Sequence, residues 1–349
     1  MHKQLPALLT APFLALGLTL ALAQQPAHGQ DAPTRSVIDQ AGETVIVPAR
    51  PRRIADLWFA HNEVLIMLGA GSSIAVTVDR PQTSPWMFRV APALNTAIQL
   101  RTTTPNPEAM LAAKVDLAFV ANSLGGPEAL RRIGIPTVSV AFTDAASLIR
   151  CLDVTASVLG TDHARAIATL YASTLTDTVG RLRAVTDRID PTARPRVLHI
   201  GSLSPLEADG ARTVIDDWIG IAGGRNAATG LTGNKQPISL EQIVAWDPDV
   251  IILGADAGPF DAAHAPGLWQ SLRAVRDGHV IRNPAGVYDW DRYASEYMLQ
   301  LSWTAKTLHP DLFRDIDMVA LTRRFYADFF AYSLSAADAT RMIEGLPPA

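Results

Sequence analysis

Imidazole, phenol, carboxylate and guanidinium groups set beside tryptophan can hold a metal complex or an anion, and three stretches of this chain offer that mixture. The first is Trp58-Phe59-Ala60-His61; the second contains Arg80 and Pro85-Trp86-Met87-Phe88-Arg89; the third is Gly286-Val287-Tyr288-Asp289-Trp290-Asp291-Arg292. Aromatic rings give broad apolar contact to a bulky organic chelate, and guanidinium gives planar, charge-assisted hydrogen bonds. His61 is the sharpest metal candidate, because a neutral imidazole can ligate a metal directly, with Tyr288 or His199 as a partner from the other half of the chain. The expected ligand contacts are Trp58, Phe59, His61, Arg80, Trp86, His199, Tyr288, Asp289 and Trp290, with His61 and Tyr288 as metal ligands. Trp58 and Trp290 equally suit the cap of an apolar core, and lone histidines are more often structural.

Bond-making chemistry finds less support. There is no G-x-S-x-G, H-E-x-x-H or Walker-type loop. Asp289 and Asp291 are a conceivable acid/base pair for a hydrolase, but alternate positions on one loop do not create the differing environments such a pair needs. Cys151 is the single cysteine, which excludes an intramolecular disulfide and thiolate metal clusters. With 30 Lys and Arg against 34 Asp and Glu, the net charge is −4 and neither sign forms a long block, so nucleic acid is an unexpected partner.

The elements that must position these residues begin after an export signal. Lys3 precedes a charge-free apolar run from Leu8 to Ala23, with small residues for cleavage at Ala21-Leu22-Ala23 and again at Ala27-His28-Gly29. The run is shorter than the ~20 residues a membrane span needs and carries Pro12, so stable membrane insertion is not expected. No cysteine lies near the cleavage region for lipid anchoring, and a freely diffusing periplasmic protein, expected as a monomer, is the reading.

Beyond the signal, short β-rich runs alternate with helical patterns, which predicts an α/β fold with largely parallel sheets. Strands are expected at 53–58, 73–78, 115–120 and 137–141, with helices at 62–68 and at 107–113 behind the cap Asn106. From Thr161 to Asp190 there is no glycine before Gly180 and no proline, and Leu170, Leu175, Val179, Leu182 and Val185 recur at helical spacing. One long helix of ~40 Å is predicted there. Alternation then resumes with strands at 196–200, 250–253 and 280–281 and helices at 213–222, 293–308 and 318–332. A chain of this length suits two lobes of ~100–150 residues.

The order and spacing of several segments resemble the periplasmic binding proteins of ABC importers for ferric siderophores, cobalamin, haem and related metal complexes. The likeness lies in Asp39-Gln40-Ala41-Gly42-Glu43 with Thr44 to Pro48, in Pro51-Arg52-Arg53-Ile54, and in Asn62-Glu63-Val64-Leu65 closing on Leu68-Gly69-Ala70-Gly71. It continues through Ala222-Gly223-Gly224-Arg225-Asn226, Ile238 to Ile243 and Asp247-Pro248-Asp249 with Val250 to Ile252. The resemblance implies two α/β lobes joined by a single connector helix with the ligand in the cleft between them, which with the pattern above gives a signal peptide at 1–23 (cleaved as late as 29 if the second site is used), an N-terminal lobe at 36–160, the connector at 161–190 and a C-terminal lobe at 193–349. It implies no intrinsic cofactor, a metal chelate as bound ligand and ABC importer transmembrane subunits as partners, with Glu63 and Glu241 as the acidic residue each lobe offers for docking. The aromatic and arginine content favours a ferric siderophore or similar chelate of net negative charge. Nickel chelate, cobalamin, haem, molybdate and tungstate are the alternative ligands, and a sensory receptor on the same fold is the alternative role. The spacing does not resemble the histidine-rich manganese and zinc receptors.

Overall fold

The computed structural model describes residues 1–2, 33–122, 127–264 and 267–349. Nearly all of the expected signal segment, from Lys3 onward, lies outside them; no helix among the described residues is long and apolar enough to cross a membrane. Residues 33–349 form one compact unit.

The unit opens with an antiparallel hairpin, β1 (Thr34–Ile38) and β2 (Thr44–Pro48), turned by Gly42 at a φ of 83°. The first sheet follows in strict alternation: β3 (Ile54–Asp56), α1 (Phe59–Met67), β4 (Ile74–Thr77), α2 (Pro85–Val90), β5 (Ile98–Gln99), α3 (Pro107–Ala112), β6 (Leu117–Ala121), α4 (Pro127–Arg131) and β7 (Thr137–Val140). Its order is β5-β4-β3-β6-β7 and every pairing is parallel. Strands covered on both faces must be apolar throughout, and every residue of β3, β6 and β7 is buried.

Two helices then leave the sheet. α5 (Ala145–Leu159) starts at a capping box, in which Asp144 accepts from the Ser147 amide at 2.7 Å and the Ser147 hydroxyl accepts in return from the Asp144 amide; it stops at Gly160, whose φ is 68°. α6 (Asp162–Thr186), capped by Thr161, is the long helix expected from the sequence; its 25 residues span about 37 Å. Its buried face is Ala164, Ala168, Tyr171, Leu175, Thr178 and Leu182, while Leu170 is exposed.

The second sheet is built from β8 (Arg196–Leu203), β9 (Leu206–Ala208), α7 (Val214–Ile221), β10 (Arg225–Asn226), β11 (Gln236–Pro237), α8 (Leu240–Trp246), β12 (Val250–Leu253), α9 (Gly267–Ser271), α10 (Arg273–Arg276) and β13 (Val280–Arg282). The order is β11-β9-β8-β12-β13 with β10 also on β8; β9 runs antiparallel to both β8 and β11, and the other pairings are parallel. Three helices finish the chain: α11 (Tyr297–Leu308), α12 (Met318–Phe330) and α13 (Ala336–Ile343). One continuous apolar cluster runs from Val47 and Leu65 through Tyr171 to Trp218, Leu301 and Phe325, so the two sheets share a core. Two smaller clusters back the outer faces of the sheets.

Candidate functional site

Parallel sheets present their functional loops at the carboxyl ends of their strands, and here those ends supply nearly every residue singled out above. Trp58 ends the stretch after β3 and is half-buried; its ring meets Phe142, which follows β7, at 5.4 Å between centroids. Tyr293, from the second half, stands 5.8 Å from Trp58 and 5.6 Å from Phe142 and is held by Asn234 through its hydroxyl. This trio bridges the halves. Phe59 packs on the outer core of the first sheet, and half-buried Arg80 closes the turn after β4 through its carbonyl, which accepts from Thr83 and Ser84.

A cavity of about 240 Å³ is bordered by other loops of both halves. Thr83, Ser84 and Trp86 border it from the first half, and Asp256, Tyr288 and Asp289 from the second. Trp86 is a wall and an anchor, donating its Nε1–H to the Leu346 carbonyl at 2.9 Å with its ring buried. Burial pushes the Tyr288 phenol far up, and burial together with the Asp291 and Asp256 carboxylates pushes Asp289 well above the usual carboxylate range. Behind Ser84, burial drives the Asp79 carboxyl up to about 8 although the Ser84 hydroxyl donates to it at 2.9 Å. Trp290 is fully buried and faces the core, so it is not part of the lining.

The two histidines read as metal-binding candidates are placed differently. His61 is buried; its Nδ1 meets the Asp56 carboxylate at 2.7 Å and its Nε2 meets Thr155 Oγ1 at 2.9 Å. The Thr155 hydroxyl spends its own proton on the Cys151 carbonyl at 2.8 Å, so it can only accept from His61. Both ring nitrogens therefore carry hydrogen. Burial alone would lower its pKa, and the Asp56 carboxylate instead lifts it to about 10. An imidazolium has no lone pair to give, which corrects the reading of His61 as a metal ligand. His199 is satisfied in the same way, 2.7 Å from Asp209 on one side and 2.7 Å from Asp291 on the other, and Arg292 completes the network 2.9 Å from Asp209. It is a buried structural centre, and Asp291 is committed to it and unavailable for acid/base work. Glycine is required alongside: a Cβ at Gly201 would strike the Arg292 guanidinium and lie 2.9 Å from Asp209. Among the described residues no group of three or more His, Cys, Asp or Glu is placed to hold a metal ion.

Glu63 is also corrected. Implied by the resemblance as the docking carboxylate of the first lobe, it lies beyond the first turn of α1, wholly buried, accepting from the Ser295 amide. Glu241 does occupy the first turn of α8, exposed, with its own backbone amide and the Ser239 hydroxyl holding its carboxyl below the usual range. The residue in the first half with the same setting is Glu108. It is exposed in the first turn of α3, behind the cap Asn106, which accepts from the Ala109 amide at 3.1 Å. Both helices end at a residue of positive φ, Lys114 and Asp247, and eight residues after each glutamate an aspartate leads into a strand. Asp116 accepts from the Arg52 and Arg53 amides, and Asp249 from the Arg196 amide at 2.7 Å, tying each unit to the neighbouring strand of its sheet. The sequence reading missed Glu108; the repeated Glu-x7-Asp spacing is the signal that could have found it.

Residues 62–286, well over half of the chain, match the sequence profile of a family described as periplasmic binding protein. The chain belongs to that family. It is a solute-binding protein and not an enzyme, and it carries its ligand as cargo, with no intrinsic cofactor. The molybdate-binding protein MolA of Haemophilus influenzae is 25% identical over 337 residues, 88% of this chain and 94% of MolA. A cobalamin-binding protein of Halobacterium salinarum is 30% identical over 182 residues, 51% of this chain and 46% of that protein. A periplasmic solute-binding protein from Veillonella parvula superposes with a TM-score of 0.75 at 23% identity, over 89% of this chain and 97% of its own. The α/β architecture of two mainly parallel sheets agrees with the sequence reading.

Proposed function

We propose that this periplasmic binding protein captures a compact metal chelate between its two sheets and delivers it to an ABC importer through Glu108 and Glu241. The observation that carries the reading is the cavity bordered at once by the loop after β4 and by the loops after β12 and β13. A volume near 240 Å³ sits below the ~300–1,000 Å³ usual for drug-sized ligands, so a small chelate suits it better than a whole corrinoid or haem. Its polar lining is Thr83, Ser84, Tyr288, Asp256 and Asp289, with no lysine or arginine among the described residues. Burying a bare dianion there would leave its charge uncompensated, whereas a chelate that presents N–H or O–H donors finds acceptors. This moves the expected ligand away from the negatively charged siderophore complex that the arginines of the sequence suggested. Free molybdate is the second reading, favoured by the MolA likeness over nearly the whole chain.

The test is equilibrium dialysis of the full mature chain against a nickel–histidine chelate, a ferric siderophore, cyanocobalamin, haem and molybdate, with metal analysis of the bound fraction. One-to-one uptake of a compact chelate, lost in Tyr288→Ala with Asp289→Asn, is expected. Uptake of molybdate alone would replace the chelate reading, and uptake of nothing in the panel would overturn it.

A further inference from the structure

Two carboxyl groups from distant parts of the chain are buried in the interior, and among the described residues neither forms an ion pair with a lysine, arginine or histidine. Glu63 comes from α1 in the first half, and Glu296 stands just before α11 in the second; both are completely buried. Glu296 is surrounded by donors: Oε1 accepts from the Val287 amide at 2.7 Å and from the Tyr326 hydroxyl, and Oε2 accepts from the Tyr288 amide at 3.2 Å. Glu63 Oε1 accepts from the amide of Ser295, the residue next to Glu296, and Glu63 Oε2 is buried with no hydrogen-bond partner among the described residues. The charge of Glu296 adds to burial in raising the proton affinity of Glu63. Two carboxyl groups can hydrogen-bond only if one keeps its proton, and the one with fewer donors is the one that keeps it.

We infer that Glu63 is a neutral acid donating its proton to the Glu296 carboxylate, and that this one-proton clasp positions the loop 286–290 against α1. The amides that Glu296 orients, Val287 and Tyr288, belong to the cavity-lining loop, and Gly286 is compulsory because a Cβ there would strike Glu296 and Tyr326. That the clasp governs ligand capture rests on the function proposed above; the clasp itself does not. The groups that face the pair from packed elements are Tyr171 of α6, Tyr326 of α12 and, along the loop, Asp289. Burial pushes both phenols well above 10, so neither titrates below that pH. For Glu63, burial first and the Glu296 charge second push the pKa well above 4.5. The sign follows: an acid whose folded pKa is raised binds more protons folded than unfolded, so stability falls as pH rises from about 4.5 to the folded pKa.

Melting curves of the full mature chain from pH 5 to 9 test this with Glu63→Gln and Glu296→Gln. Wild type should lose about 2–4 °C per pH unit across the window in which Glu63 ionises. Glu63→Gln, whose amide donates to Glu296 at every pH, should lose that part of the slope and keep the fold. Glu296→Gln, which turns an amide donor toward the Val287 N–H, should melt lower at all pH values. Should Glu63→Gln keep the wild-type slope or behave like Glu296→Gln, the clasp is refuted. Wild-type protein labelled only at the glutamate side-chain carboxyl carbon gives an answer that needs no variant: one resonance should remain in the protonated position above pH 6, and titration of every glutamate near 4.5 refutes the clasp. Dialysis at pH 6 and 8 separates the two readings, since a clasp without any bound chelate would retain this inference and reject the proposed function.

Discussion

At the scale of single residues, hydrogen-bond direction decides more than residue type. His61 and His199 look like metal ligands in the sequence, yet each is flanked by acceptors on both nitrogens and is held as an imidazolium. Because the folded pKa of His61 lies near 10 and an unfolded histidine titrates near 6.5, its contribution to stability is complete below pH 6.5 and disappears between 6.5 and 10. Nitrogen NMR of histidine-labelled protein at pH 8 should show both His61 ring nitrogens protonated; an unprotonated nitrogen at that pH would contradict the assignment. For His199, removing the ring leaves Asp209 and Asp291 buried without the charge between them, so His199→Ala should cost about 3–5 kcal/mol in urea unfolding. A cost under 1 kcal/mol would mean that water replaces the ring at little expense.

At the scale of elements, local signals were legible and facing was not. The helix α6 could be read from its cap Thr161, its helical spacing and the absence of breakers, and the buried runs of β6 and β12 from continuous apolar sequence. The same spacing put Leu170 in the core, whereas it is exposed and the small residues Ala164 and Ala168 are buried, as close packing of helices favours small side chains at the contact. Glu63 was misread because it is buried against the Ser295 amide, more than two hundred residues further along the chain, which no local pattern reveals. Gly180 gives a clean test of α6. Its surroundings are open, so Gly180→Ala meets no neighbour and should stabilise the protein by about 0.5–1 kcal/mol through helix propensity alone. Gly286→Ala is its opposite: a methyl group there would collide with the clasp and with Trp290 Nε1 at 2.8 Å, and should cost about 1–3 kcal/mol. Both are read from denaturant midpoints at constant slope.

At the scale of the whole molecule, the repeated unit of helix, left-handed turn, aspartate and strand places one exposed glutamate on each half in the same setting, while Glu63 is spent on the interior. Charges fixed at helix first turns steer a partner and set its register more than they add affinity, which is what a transient hand-over to an importer requires. Neither Glu108 nor Glu241 is among the described residues lining the cavity, so the proposed docking and the proposed ligand capture are separable by mutation. Glu108→Ala with Glu241→Ala should leave chelate binding and melting temperature near wild type, because exposed carboxylates contribute little to folding. Uptake by cells relying on this protein should fall at least tenfold, with the salt sensitivity of importer association reduced as well. Glu63→Gln, placed in the same uptake assay, should retain hand-over, because its side chain never reaches the surface. If the double alanine variant transports normally while Glu63→Gln does not, the docking assignment returns to the interior residue and the internal repeat carries no functional weight.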